Sequence, residues 1–148
     1  MVILNKKALY NYEITDKFEA GIILTGAEVK SARSGNVSLA DSFVRIRDNS
    51  AFLYNTYISP YQKPTSEIDP RRERKLLLHR AEMQHLKGKL ANTSLTLIPL
   101  KMYTTSNLIK LEVALARGKK QHEKREDLKR KAIERDIEES LRDVKKRT

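Results

Sequence analysis

The segment Leu108 to Ala116 (LIKLEVALA) constrains the fold more than any other. Ile109, Leu111, Val113 and Leu115 point one way, and Lys110 and Glu112 point the other. That period of two belongs to a strand with one face in a core and one in water. Directly behind it, the stretch LARGKKQHEKREDLKR (Leu115 to Arg130) turns basic. From Arg117 to Thr148 there are 13 basic and 8 acidic residues, no Phe, Tyr, Trp or Pro, and a single glycine, Gly118. Such a segment cannot bury enough apolar surface to fold alone. The chain therefore divides into a β-rich domain, residues 1–117, and a basic tail, residues 118–148.

The tail still carries helical signals. Glu126 with Arg130, Asp127 with Lys131, Glu138 with Arg142 and Asp143 with Arg147 are acid-first pairs four residues apart, each supporting a helix by a few tenths of a kcal/mol. Ile133, Ile137, Leu141 and Val144 share one helical face, whereas Leu128 and Ala132 lie on another. A helix of this kind is marginal in isolation. The expectation is a tail that is disordered when free and helical on a polyanionic partner.

The domain reads as mainly β. SLTLIPLKMY (Ser94 to Tyr103) is a second long strand, with a turn over Thr104 to Asn107, and Pro99 marks an edge or a bulge. SFVRIRD and AFLYNTYI form a hairpin about Asp48, Asn49 and Ser50. YEITDKFEAGIIL supplies one or two more strands. Short helices are expected over Gly26 to Arg33, stopped by Gly35, and over Ala81 to Leu90, with Met83, Leu86 and Leu90 as an apolar stripe. Asp69-Pro70 is a helix-start signal. Five or six antiparallel strands with a few short helices point to a small closed barrel, which leaves no exposed sheet edge.

Charge then narrows the function. The formal net charge is +11 over 148 residues, which favours nucleic acid as partner. An anionic membrane ranks lower, because the tail lacks Trp and Phe. No run of about 18 apolar residues is present, and the apolar start MVIL is too short for a signal-peptide core; the expected location is the cytoplasm. There is no cysteine, and His79, His85 and His122 are scattered without metal-ligand spacing. Phosphate-binding glycine patterns and nucleophile signatures are missing. The sequence reads as a binding module without cofactor or metal, not as an enzyme.

Candidate contacts follow. DPRRERKLLLHR (Asp69 to Arg80) packs Arg71, Arg72, Arg74, Lys75 and Arg80 around Leu76, Leu77 and Leu78; leucines would dock it and cations would face outward to phosphates. Glu19, beside Gly21, looks buried, which suits either a structural ion pair or hydrogen bonds to base edges. Tyr54, Tyr57 and Tyr61 either stack on bases or pack locally. From residues alone, a generic RNA-binding barrel and a structural ribosomal protein both remain open.

The motifs NKKALYNYEI, FEAGIILTGAEVKSARSGNVSLADSF, LYNTYISPY, DPRRERKLLLHRAE, LTLIPLKMY and LARGKKQHEKRE, in this order and spacing, resemble the small protein B family, the tmRNA-binding proteins of bacterial trans-translation. The match runs from Asn5 to about Arg130. The resemblance implies an oligonucleotide-binding-type barrel that holds the tRNA-like domain of tmRNA and carries it to stalled ribosomes. There the protein stands in for the missing codon–anticodon duplex, and its tail acts in the decoding site and the empty mRNA channel of the small subunit. Elongation factor Tu and alanyl-tRNA synthetase would be indirect partners, through tmRNA.

Carried over residue by residue, the resemblance implies tmRNA contacts at Glu19, Leu77, His79 and Lys110, joined by Arg74 and Lys75 of the basic segment. It implies ribosome contacts at Gly118, Lys119 and Lys120 (the GKK hinge), His122, Lys124 and Arg125. Two places depart from the family pattern. Glu123-Lys124-Arg125 replaces Asp-Lys-Arg, and Asn92-Thr93-Ser94 replaces a glycine-containing turn, where Thr and Ser adopt positive φ less readily.

Overall fold

The computed structural model describes residues 1–60, 68–91, 94–119 and Arg125. The chain forms two compact units, Met1–Gly118 and Lys119–Thr148.

The first unit contains, in chain order, β1 (Val2–Leu4), α1 (Lys6–Asn11), β2 (Tyr12–Ile22), α2 (Gly26–Arg33), β3 (Val37–Ser38), β4 (Phe43–Arg47), β5 (Ser50–Tyr54), β6 (Tyr57–Ile58), β7 (Arg74–Leu77), α3 (Arg80–Leu90), β8 (Thr96–Thr105) and β9 (Leu108–Gly118). Every strand pairing is antiparallel. β9 lies between β2 and β8; β2 continues to β7, β5 and β4, and β4 touches β8 at Val44 opposite Leu97. The pairing thus returns to β8, whose far end also carries β1. β3 and β6 form a separate two-stranded sheet.

Local signals explain the hairpins. β4 and β5 are joined by Asp48 and Asn49, with φ of 50° and 61°. β8 and β9 are joined by Ser106 and Asn107, with φ of 46° and 64°. Two successive residues at positive φ make the tight turn that matches strand twist, and Asn and Asp tolerate it best. Pro99 sits at a bulge, where the register shifts between Pro99 and Lys101. Asn5 captures the freed carbonyls: its Nδ2 donates to Pro99 O at 2.8 Å and its N–H to Leu100 O at 2.8 Å. Its Oδ1 also accepts from Ala8 N–H at 3.2 Å and so caps α1. Neither β1 nor α1 was expected.

α2 opens with a capping box in which Thr25 Oγ1 accepts from Glu28 N–H at 3.2 Å and Glu28 Oε1 from Thr25 N–H at 3.0 Å. It ends at Gly35, whose φ of +80° suits glycine. α3 buries Met83 and Leu86 as its stripe requires. The main core gathers Leu39, Val44, Leu53, Leu76, Leu86, Leu97, Met102, Leu111, Val113 and Leu115, each stabilising the domain by about 1.5–3 kcal/mol through burial. Ala8, Ile98, Leu100, Ala114 and Ala116 form a smaller core on the other face of β8 and β9.

Asp69-Pro70 starts a turn, not a helix. Asp69 O accepts from Arg72 N–H at 3.1 Å, and Asp69 Oδ1 accepts from Arg71 N–H at 2.9 Å. Asp followed by Pro also opens a type I β-turn. The chain must be extended again by Arg74 to pair between β5 and β2, so no helix can propagate.

Candidate nucleic-acid interface

Five strands present one outward face. Ala20, Leu76, Met102 and Leu111 are buried, so their neighbours in sequence point away from the core. One row across the sheet runs Leu77 (β7), Gly21 (β2), Lys110 (β9), Tyr103 (β8) and Val2 (β1). The next runs Glu19, Glu112, Lys101 and Leu4. Three residues distant in sequence, Glu19, Leu77 and Lys110, therefore lie within two adjacent rows.

Gly21 has a steric reason to be glycine. A Cβ there would stand 3.3 Å from Leu77 Cβ, tighter than two side chains normally approach. Leu77 itself is 55% exposed, unusual company for a strand that buries Leu76. A leucine held in water beside a lysine presents an apolar contact to a partner.

Glu19 is exposed, not buried. Its Oε2 accepts a hydrogen bond from Tyr103 Oη at 2.5 Å. Burial, and then the hydrogen bond and charge of Glu19, push the Tyr103 phenol up to about 12, so it stays a donor at neutral pH. Glu112 lies between Lys101, at 3.6 Å, and Lys17, at 4.0 Å. Among the described residues neither Lys75 nor Lys110 has a carboxylate partner. Lys75 is exposed opposite Phe52. His79 is exposed at the start of α3, and its backbone N–H donates to Glu82 Oε1 at 3.2 Å.

Arg74 breaks the expectation that this segment turns its cations outward. Its side chain is fully buried. Nε donates to Glu28 Oε2 at 2.8 Å, Nη1 to Thr56 O at 2.7 Å and to Arg72 O at 3.1 Å, and Nη2 to Pro70 O at 2.9 Å. A guanidinium so enclosed has no edge left for phosphate. The structural ion pair considered for Glu19 belongs instead to Glu28, which Arg72 also contacts.

The tyrosines are engaged locally: Tyr54 stacks on Phe43 with centroids 5.3 Å apart, and the Arg71 guanidinium sits 5.3 Å from the Tyr57 ring centre. Tyr61 lies outside the described residues. Gly118 ends β9 opposite Tyr12 and is exposed. Lys119 is half-buried and Arg125 exposed; Lys120, His122 and Lys124, like Asn92 and Thr93, lie outside the described residues. Among the described residues no three metal-ligating side chains converge, and no helix is long and apolar enough to cross a membrane. Sequence reasoning missed Tyr103 and Glu112. Their alternation with buried Met102 and Leu111 was visible, but their nearness to Glu19 depends on a register that no local motif encodes.

A basic, mainly β protein whose outward sheet face carries Lys75 and Lys110, without carboxylate partners among the described residues, an exposed leucine and an oriented carboxylate is built like a nucleic-acid-binding protein. Comparison with known proteins is specific. The SmpB protein family model matches residues 2–143. The SsrA-binding protein of Sulfurihydrogenibium sp. (strain YO3AOP1) is 51% identical over 144 residues, covering 96% of this chain and 94% of that protein. The SsrA-binding protein of Enterococcus faecalis (strain ATCC 700802 / V583) is 48% identical over 143 residues, covering 96% and 93%. A solved structure described as "tmRNA-SmpB: a journey to the center of the bacterial ribosome" matches with a TM-score of 0.69 and 48% identity, covering 81% of this chain and 85% of that one. The chain belongs to the SmpB family.

Proposed function

We propose that this protein binds the tRNA-like domain of tmRNA and delivers it to stalled ribosomes for trans-translation, without catalysing a reaction itself. The observation that carries the reading is the convergence of Glu19, Leu77 and Lys110 on one outward face. A carboxylate on a basic surface repels phosphate, so its use is to accept from RNA donors: base N–H groups or 2′-hydroxyls. Lys110 and Lys75 supply phosphate contact, Leu77 covers the apolar face of a base or ribose, and His79 extends the interface at the start of α3. Arg74 drops out as a contact and acts by holding β7.

The returning strand ladder supports a small closed barrel of the oligonucleotide-binding type. Gly118, Lys119, Lys120, His122, Lys124 and Arg125 are assigned to the ribosome, at the decoding site of the small subunit. The tail is proposed to be disordered when free and helical there, along the empty mRNA channel. Two RNA sites on one chain add through effective concentration. Elongation factor Tu and alanyl-tRNA synthetase meet the protein only through tmRNA, in the cytoplasm. Sequencing the RNA that co-purifies with the protein tests the reading: tmRNA should dominate. A broad mixture of RNAs, or ribosomal RNA in proportion to all ribosomes, would overturn it.

A further inference from the structure

We propose that Tyr103 is a positioning residue for the Glu19 contact, holding one carboxylate oxygen so that the other accepts a hydrogen bond from an RNA N–H or 2′-hydroxyl. The inference rests on the tmRNA reading of the β7–β2–β9–β8 face.

The geometry is unusual for a surface hydrogen bond. Tyr103 is on β8 and Glu19 on β2, with β9 between them. Two strand spacings amount to roughly 9.6 Å, so the phenol and the carboxylate must reach toward each other across β9. The bond passes diagonally between the row of Lys110 and the row of Glu112. β2 and β8 are each already tied to β9 by long ladders, so the sheet does not need this link to stay together.

What the link does fix is the carboxylate. An exposed glutamate is free among its rotamers, and ordering it at the moment of binding costs side-chain entropy. Lys17, Lys101 and Lys110 all stand on the same face and would otherwise draw it aside. The tyrosine side chain is itself braced, with Lys101 Nζ 5.3 Å from the ring centre and Lys101 in turn beside Glu112. Oε2 accepts the hydrogen bond from the phenol; Oε1 is left to accept from RNA. A carboxylate half-occupied in this way selects donors and refuses phosphates, so recognition at this point is of a base edge or a ribose and not of the backbone charge.

The test is a double-mutant cycle in the full chain with Tyr103→Phe, Glu19→Gln and both together. Affinity for a transcript of the tRNA-like domain is read at several salt concentrations, with thermal melting in parallel. Tyr103→Phe keeps the ring and its burial, so the melting temperature should hold. Affinity should fall about threefold to tenfold, with an unchanged salt slope because no cation is removed. In the Glu19→Gln background the same change should have less than about a twofold effect. An equal loss in both backgrounds would show that Tyr103 touches RNA itself and would overturn the inference. Unchanged affinity in Tyr103→Phe overturns it while leaving the tmRNA face intact. If Glu19→Gln alone binds as well as the parent, the Glu19 contact and this inference fall together.

Discussion

Arg74 and Glu28 face each other inside the domain, with Nη2 and Oε2 2.6 Å apart and the arginine side chain fully closed off from water. They come from segments 46 residues apart. Glu28 is the third residue of α2 and completes its capping box; Arg74 begins β7. One acid thus ties the start of a helix, the Pro70–Arg72 turn and a strand. The strand in question carries Lys75 and Leu77 to the outer face. Buried ion pairs contribute little net stability against an apolar isostere, but removing one partner leaves a costly charge. The pair therefore serves placement more than stability.

Glu28→Ala should destabilise the domain by about 3–5 kcal/mol, read by urea unfolding. Glu28→Gln gives the pH dependence. Burial pushes the Glu28 carboxyl up, but hydrogen bonds from Arg72, the Thr25 N–H and Arg74 outweigh it, and the net shift is below the ordinary value of 4.5. A carboxyl depressed in the folded state stabilises above its unfolded pKa, and that contribution is lost as pH falls through the folded value. The stability gap between parent and Glu28→Gln should therefore be constant near neutrality and close below about pH 4.5. A gap that widened on acidification would contradict the assigned direction.

Gly21→Ala isolates the Leu77 position. The added methyl meets Leu77 Cβ at 3.3 Å, and Leu77 is exposed and can yield outward. Stability should drop by about 1 kcal/mol at most, the low end of overpacking, while tmRNA affinity falls because Leu77 is displaced. Leu77→Ala should lower affinity without a loss of melting temperature. Equal affinities across parent, Gly21→Ala and Leu77→Ala would remove Leu77 from the interface.

Lys110→Ala separates phosphate from base contact. If Lys110 neutralises a phosphate, the slope of log affinity against log salt should become shallower by about 0.7–0.9. Glu19→Gln should weaken binding with the slope unchanged. A slope unaltered by Lys110→Ala would mean that this lysine does not meet the backbone.

Much of the fold was legible because its signals are local. The β4–β5 and β8–β9 hairpins announce themselves by the turns about Asp48, Asn49 and Ser50 and over Thr104 to Asn107 between alternating runs, and α2 by its stop at Gly35; the capping box of Thr25 and Glu28 went unread. The segment Arg74–Leu77 was misread because its hydropathy does not follow its geometry. Burial alternates as buried, exposed, buried, exposed, whereas the residues are two cations followed by two leucines. The carboxylate of Glu28 balances the charge of the inward arginine, and nothing near Arg74 in sequence reveals it. Glu19 looked buried because apolar residues surround it; the side on which it lies depends on its pairing opposite Glu112. The same long-range register hid Tyr103. Of the candidate tmRNA contacts, Glu19, Lys75, Leu77 and Lys110 lie on one outward face, His79 stands at the start of α3, and Arg74, whose charge is spent inside, is not on that face.

A cut between the domain and the tail proposed to bind the ribosome must spare β9. β9 runs to Gly118, with Ala116 opposite Ile14, Arg117 opposite Glu13 and Gly118 opposite Tyr12. Ala116 also belongs to the smaller core, and Arg117 pairs with Glu13. A truncation after Leu115 would therefore strip three paired residues and damage the domain, confusing loss of structure with loss of a binding element. Ending the chain after Lys119 keeps the whole strand. That protein should melt close to the parent temperature and bind the tRNA-like domain of tmRNA within about tenfold of the full chain, roughly 1.4 kcal/mol. Tagging on stalled ribosomes in a reconstituted translation system should be abolished. If the 1–119 protein lost more affinity than that while remaining folded, residues beyond 119 would have to share in holding tmRNA. If it still supported tagging, the assignment of those residues to the ribosome would be wrong.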